Sequence, residues 1–88
     1  MVVTIFRDVT GLGREIRLAR KGRGWSQADL ARLAGTDPRQ ISRIETAAHE
    51  PKLSLLLAVI AALDLDLGLV HRQGKSERAA RPRPEDIF

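Results

Sequence analysis

A mainly α-helical fold of four to five helices, followed by a short C-terminal strand, is what this sequence predicts. Three observations carry that expectation. Apolar residues recur at three- and four-residue spacing across residues 12–63, the period of a helix with one buried face. Glycines and capping residues cut the pattern into short pieces, at Gly22, Gly24, Gly35 and Asp37-Pro38-Arg39-Gln40. Beyond the last apolar stretch, Leu65, Leu67 and Leu69 alternate with Asp66, Gly68 and Val70, which is the period of a strand.

Residues 1–6 are rich in β-branched side chains and read as a short strand or an ordered arm. Asp8 suits the N-cap of a first helix reaching about Lys21, with Leu12, Ile16 and Ala19 on one stripe. Gly22 and Gly24 end it. Ser26 caps a second helix, Gln27 to Ala34, which Gly35 stops as a C′ glycine does. The third helix has the strongest start signal. Asp37 is its N-cap acceptor, Pro38 fills the first position where no N–H is missed, and Gln40 is placed to close a capping box. It is expected to run to about Thr46. Residues 47–52 form a loop, and Leu53 to Leu63 a fourth helix that is apolar nearly all round. From Arg72 onward the chain is charged and proline-containing, which predicts a flexible tail ending in the apolar pair Ile87-Phe88.

Eighty-eight residues make one small domain, residues 1–71, with the tail 72–88 appended. A chain this short buries only about 60% of its unfolded surface, so a second copy would help to stabilise it. The absence of cysteine excludes disulfides and thiolate metal sites and suits a cytoplasmic protein. No signal peptide is evident at the start, and the longest apolar run falls short of the roughly 20 residues that cross a bilayer. His49 and His71 have no carboxylate or cysteine at ligand spacing, so neither a metal nor any other cofactor is expected. Nothing in the chain forms a nucleophile–base pair, a carboxylate dyad or a phosphate loop, which argues against an enzyme. The net charge of +4 and pI near 10.7 favour a polyanionic partner, and much of the basic charge falls between Arg14 and Arg43.

The second and third helices carry the chemistry. Two short helices joined by a glycine turn cross steeply and need a small residue at the crossing, which Ala31, four residues before Gly35, supplies. Ile41 then plugs the junction, with Leu30 and Ile44 extending the core. Gln27, Ala31, Gly35 and Ile41 at these intervals form a helix-turn-helix pattern, although an ordinary helical hairpin shares the spacing. With Ile41 and Ile44 inward, Arg39, Ser42, Arg43 and Thr46 turn outward on one strip. Arginines there reach base edges in a major groove about 12 Å wide, where guanine accepts their paired donors. The bland alternative is a solvated charged face. Gln27 opens the second helix, whose free N–H groups and dipole favour a phosphate; Arg23, Thr36, Gln40 and Thr46 are further candidate phosphate contacts. Glu45 falls inward with Arg20 on the inner half of helix one, and the two are read as a structural ion pair. Trp25, the sole tryptophan, is expected to pack under the start of helix two.

These residues resemble the Cro/lambda-repressor-like (XRE) helix-turn-helix family. The resemblance spans roughly Leu12 to Leu69, through Ile16 and Arg20, the run Gly24-Trp25-Ser26-Gln27, Leu30-Ala31, Gly35, Ile41-Ser42, Ile44-Glu45, Pro51 and the leucine-rich helix. It implies a lambda-repressor-like fold that binds duplex DNA, with Gln27 on phosphate, Pro38, Arg39, Ser42 and Arg43 on the reading face, and Arg20–Glu45 as the internal pair. Two positions depart from the pattern: Ala47 stands where the family often has glycine, and Lys52 where it often has a capping Ser or Thr. Within the family the chain looks most like the HipB-type antitoxins, encoded beside HipA-like Ser/Thr kinase toxins. That resemblance implies strands pairing across a dimer axis through Leu65, Leu67 and Leu69, and a tail whose Ile87 and Phe88 dock on the toxin. A dimer also answers two needs of the sequence itself, a cover for the all-round apolar fourth helix and a partner for a lone strand. It predicts a palindromic operator with half-sites about 34 Å apart. Leu18 falls off the first helix's stripe and would face such a partner, a toxin, or nothing. The function expected is a dimeric repressor that is the antitoxin of a HipA-like kinase and regulates its own operon. The alternative is a stand-alone repressor without a toxin.

Overall fold

The structure, a computed structural model, describes residues 3–72. Within them the chain forms α1 (Val9–Gly22), α2 (Gln27–Ala34), α3 (Pro38–Thr46) and α4 (Leu53–Ala62). Each helix start has a local cause, except that of α4. Asp8 caps α1 by accepting from the Gly11 N–H at 2.7 Å. At α2 the capping box is complete: Ser26 Oγ accepts from the Asp29 N–H at 3.0 Å, and Asp29 Oδ2 accepts from the Ser26 N–H at 2.8 Å. At α3 only half of the expected box forms, with Asp37 Oδ1 accepting from the Gln40 N–H at 2.9 Å. Lys52 precedes α4 without a side-chain cap.

Each of the four helices ends on or just before a left-handed residue: Gly24, Gly35, Ala47 and Asp64. Gly35 closes α2 at φ 75°, where glycine has no steric penalty. Ala47 closes α3 at φ 57°, so an L-residue occupies the place that the sequence pattern reserves for glycine. The ladder of α4 stops at Ala62, one residue before the expected end. Leu63 caps it and remains almost wholly buried, 1% exposed.

The core gathers Leu12 and Ile16 from α1, Leu30 and Ala31 from α2, Ile41 and Ile44 from α3, and Leu56, Val59, Ile60 and Leu63 at the end of the chain's helical part. The third helix lies against both α1 and α2, while α2 also packs on α4. Ala31 is 1% and Ile41 0% exposed, as the crossing of two short helices demands. Gly13 brings α1 still closer to α3. A Cβ there would collide with the backbone carbonyl of Ile44 and lie 2.8 Å from that of Glu45.

No strand forms among the described residues, either in the N-terminal arm or over residues 65–70. A strand exists only in a ladder, and the single chain offers this segment none. Leu65, Leu67 and Leu69 are 49%, 41% and 100% exposed, leaving the alternation without a buried face. Ile87, Phe88 and nearly all of the expected tail lie outside the described residues.

Candidate nucleic-acid interface

The third helix is held from behind by an ion pair. Arg20 Nε donates to Glu45 Oε2 at 2.6 Å and Nη2 donates to Oε1 at 3.0 Å, a bidentate fork between α1 and α3. The remaining guanidinium nitrogen, Nη1, donates to the Trp25 carbonyl at 2.8 Å, tying in the turn before α2. Arg20 is 7% and Glu45 8% exposed. Hydrogen bonding to Glu45, ahead of the desolvation that opposes it, raises the Arg20 pKa further, so the charge is permanent. The pair orients α3 through its bidentate geometry.

With its inner face fixed, α3 turns Pro38, Arg39 and Thr46 to solvent, and Ser42 and Arg43 are half-buried beside them. Arg43 also borders a cleft of about 380 Å³ between α3 and the loop that follows. Thr36 and Gln40 line the same cleft, together with His49, Glu50 and Lys52. The candidate phosphate contacts Thr36 and Gln40 thus share one cleft with Arg43, while Arg39 and Thr46 are outside its lining.

Three of the expected phosphate contacts have other partners. The Arg23 guanidinium lies 5.0 Å from the centre of the Trp25 ring and donates through Nη2 to the Leu63 carbonyl at 2.9 Å. A carbonyl left over at the end of α4 attracts a cation strongly, and the aromatic face holds its plane, so Arg23 serves the fold. Thr46 Oγ1 donates its single proton to the Ser42 carbonyl at 2.8 Å, which leaves none for a phosphate oxygen. Gln27 Nε2 reaches inward to Glu45 Oε1 at 3.3 Å, extending the buried pair into a triad. What α2 then offers an anion is its N-terminal backbone rather than this amide.

Sequence reasoning missed Gly13. Its signal was present, a glycine in the interior of a helix that ought to disfavour it. The loop side chains His49, Glu50 and Lys52 were also missed, since no periodicity places a loop beside a helix. Among the described residues no cluster of metal-ligating side chains occurs, and no helix is long and apolar enough to cross a membrane.

A buried lock behind a short helix with one exposed face, joined to its predecessor by a glycine turn, is the architecture of a helix-turn-helix DNA-binding domain. A family model described as helix-turn-helix matches residues 16–70, and the chain belongs to that family. Within it, the chain is similar to Antitoxin HipB of an Escherichia coli O6:H1 strain, 28% identical over 71 residues that cover 81% of this chain and 76% of that protein. Among solved structures, that of a HipA-HipB-O2-O3 complex holds a chain of the same fold, with TM-score 0.74 and 24% identity, covering 81% of this chain and 100% of that one. The restriction-modification controller protein C.AhdI from Aeromonas hydrophila is 30% identical with TM-score 0.64, covering 69% of this chain and 92% of its own.

Proposed function

We propose that this chain is a cytoplasmic, dimeric, sequence-specific DNA-binding repressor that acts as the antitoxin of a HipA-like kinase and regulates its own operon through a palindromic operator. The observation that carries the DNA reading is the two-sided character of α3. Ile41, Ile44 and Glu45 are buried against the core, while Pro38 and Arg39 are exposed, with Ser42 and Arg43 beside them. Those four outer residues read bases. Thr36, Gln40 and the N-terminus of α2 at Gln27 hold phosphates, which fix register without choosing sequence.

Similarity to a HipB antitoxin along most of the chain supports the toxin partner, as does the HipA-containing complex of the same fold. In this reading residues 1–71 bind DNA and dimerise, and residues 72–88 carry Ile87 and Phe88 to the kinase. Dimerisation has its own support. A groove of about 730 Å³ runs between the N-terminal arm, α1 and residues 64–70, walled by Val3, Phe6, Leu18, Leu65, Leu67 and Val70. Its exposed apolar walls suit a second copy whose Leu65–Leu69 segment pairs with this one and turns both into strands.

An electrophoretic shift on the chain's own promoter tests the DNA step. Arg39→Ala and Arg43→Ala are each expected to weaken operator binding by about 1–3 kcal/mol and relax preference at one base position. Equal losses on operator and random duplex would make them phosphate contacts instead. Co-purification with the product of the adjacent gene tests the toxin step, and deleting Ile87-Phe88 is expected to weaken that capture while leaving the shift intact. The similarity to a restriction-modification controller protein favours one other reading, a stand-alone regulator. No kinase-like gene alongside and no co-purifying protein would select it.

A further inference from the structure

The DNA reading leaves one charged surface unused. On α1, Thr10, Arg14, Arg17 and Lys21 follow one another at four-, three- and four-residue steps and all are exposed. That spacing puts them on a single stripe. Two ion pairs form among the described residues, Arg20–Glu45 and Arg32–Asp29, and neither uses these cations. Lys21 lies in the last turn, where a cation complements the helix dipole, but Arg14 and Arg17 are mid-helix and have no such role.

The position of the stripe follows from Gly13. That glycine sits against the carbonyls of Ile44 and Glu45, in the last turn of α3. Thr10 and Arg17 are its neighbours three and four residues away on the α1 surface, and Arg14 is beside it in sequence. Through Thr10 and Arg17 the stripe borders the C-terminal end of the reading helix, while Arg14 and Lys21, four and three residues from Leu18, form its outer edge toward the apolar groove that Leu18 lines.

We propose that Arg14 and Arg17 form a second, sequence-independent anchor for duplex DNA. They would contact backbone phosphates that flank the C-terminal end of α3, with the Thr10 hydroxyl as an added donor. The inference rests on the DNA-binding reading and adds a surface to it. Cations on a helix face, unpaired and beside a groove-reading element, meet a line of phosphates by charge alone and displace its counterions. An acidic surface on a protein partner is the competing occupant, and the same variants separate the two.

The experiment is a fluorescence-anisotropy titration of the full chain on its own promoter and on a scrambled duplex across a range of salt. The variants are Arg14→Gln/Arg17→Gln and the charge-preserving Arg14→Lys/Arg17→Lys, each checked for an unchanged thermal midpoint. The glutamine variant is expected to bind both duplexes more weakly by the same factor. Its plot of log affinity against log salt should be shallower by about 1.8, the sum for two phosphates. The lysine variant should recover the wild-type slope. An unchanged slope with the glutamine variant, while the wild type still binds its promoter selectively, overturns the anchor. So does a loss confined to the promoter, which would mean base contact, or a loss of partner capture with DNA binding intact. A wild-type chain that binds neither duplex overturns the DNA reading itself, and the anchor with it.

Discussion

Removing the Glu45 carboxylate would leave the Arg20 guanidinium buried with only the Trp25 carbonyl as a partner. A stranded interior charge is far more costly than the pair is stabilising, so Glu45→Ala is expected to lower stability by about 3–5 kcal/mol in urea denaturation. A loss below about 1 kcal/mol would mean that water reaches the guanidinium. Two small residues respond in opposite directions. Gly13→Ala sets a methyl against the Ile44 and Glu45 carbonyls, neither of which is a movable side chain, and overpacking of this kind costs about 1–3 kcal/mol. Ala47→Gly relieves an L-residue of its left-handed backbone. That strain of about 1–2 kcal/mol outweighs the entropy that glycine adds to the unfolded chain, so the variant is expected to melt higher by roughly 0.5–1 kcal/mol equivalent. The Arg20–Glu45 pair could be read in sequence because both residues fall on inward stripes. The commitment of Thr46 to Ser42 and of Arg23 to Leu63 could not, since each depends on a rotamer or on a helix end forty residues away.

At the scale of elements, helix starts were the most legible feature. Ser26, Asp29 and Asp37 act through hydrogen bonds within a few residues and Pro38 through its fixed φ, and local chemistry is what a sequence displays. The strand expected over residues 65–70 does not form in the single chain, because alternation specifies only a face while a ladder needs a second strand. The capping box of α2 makes a prediction about pH. Hydrogen bonds from the Ser26 backbone and side chain, and then from Arg32, hold the Asp29 carboxylate below the ordinary aspartate range. A carboxylate whose folded pKa is depressed stabilises above its unfolded pKa and loses that contribution as pH falls through the folded one. The start of α2 should therefore be intact at neutral pH and weaken only in acid. Amide exchange at Asp29 and Leu30, compared between wild type and Asp29→Asn, measures this. If protection in the wild type is no greater than in the variant at neutral pH, the box is not stabilising α2.

For the whole molecule, the informative quantity is how much apolar surface stays uncovered. Val3, Leu18, Leu65, Leu69 and Val70 are each about half exposed or more, a high proportion for a chain with so small a core. Sedimentation equilibrium is expected to give twice the chain mass, and Leu67→Asp to shift it toward the monomer with a lower melting temperature. A wild-type chain that sediments as a monomer at micromolar concentration would remove the dimer. The residues that hold α3 in place, Gly13, Arg20, Ile41, Ile44 and Glu45, are all on its inner side or behind it. Those proposed to read bases are all on the outer side. Apart from Pro38, which also opens α3, no side chain serves both tasks, so Arg39, Ser42 and Arg43 can drift under selection for a new target while the scaffold is conserved. Duplicated copies of such a gene could come to ignore one another's operators after very few outer-face substitutions, without passing through an unfolded intermediate.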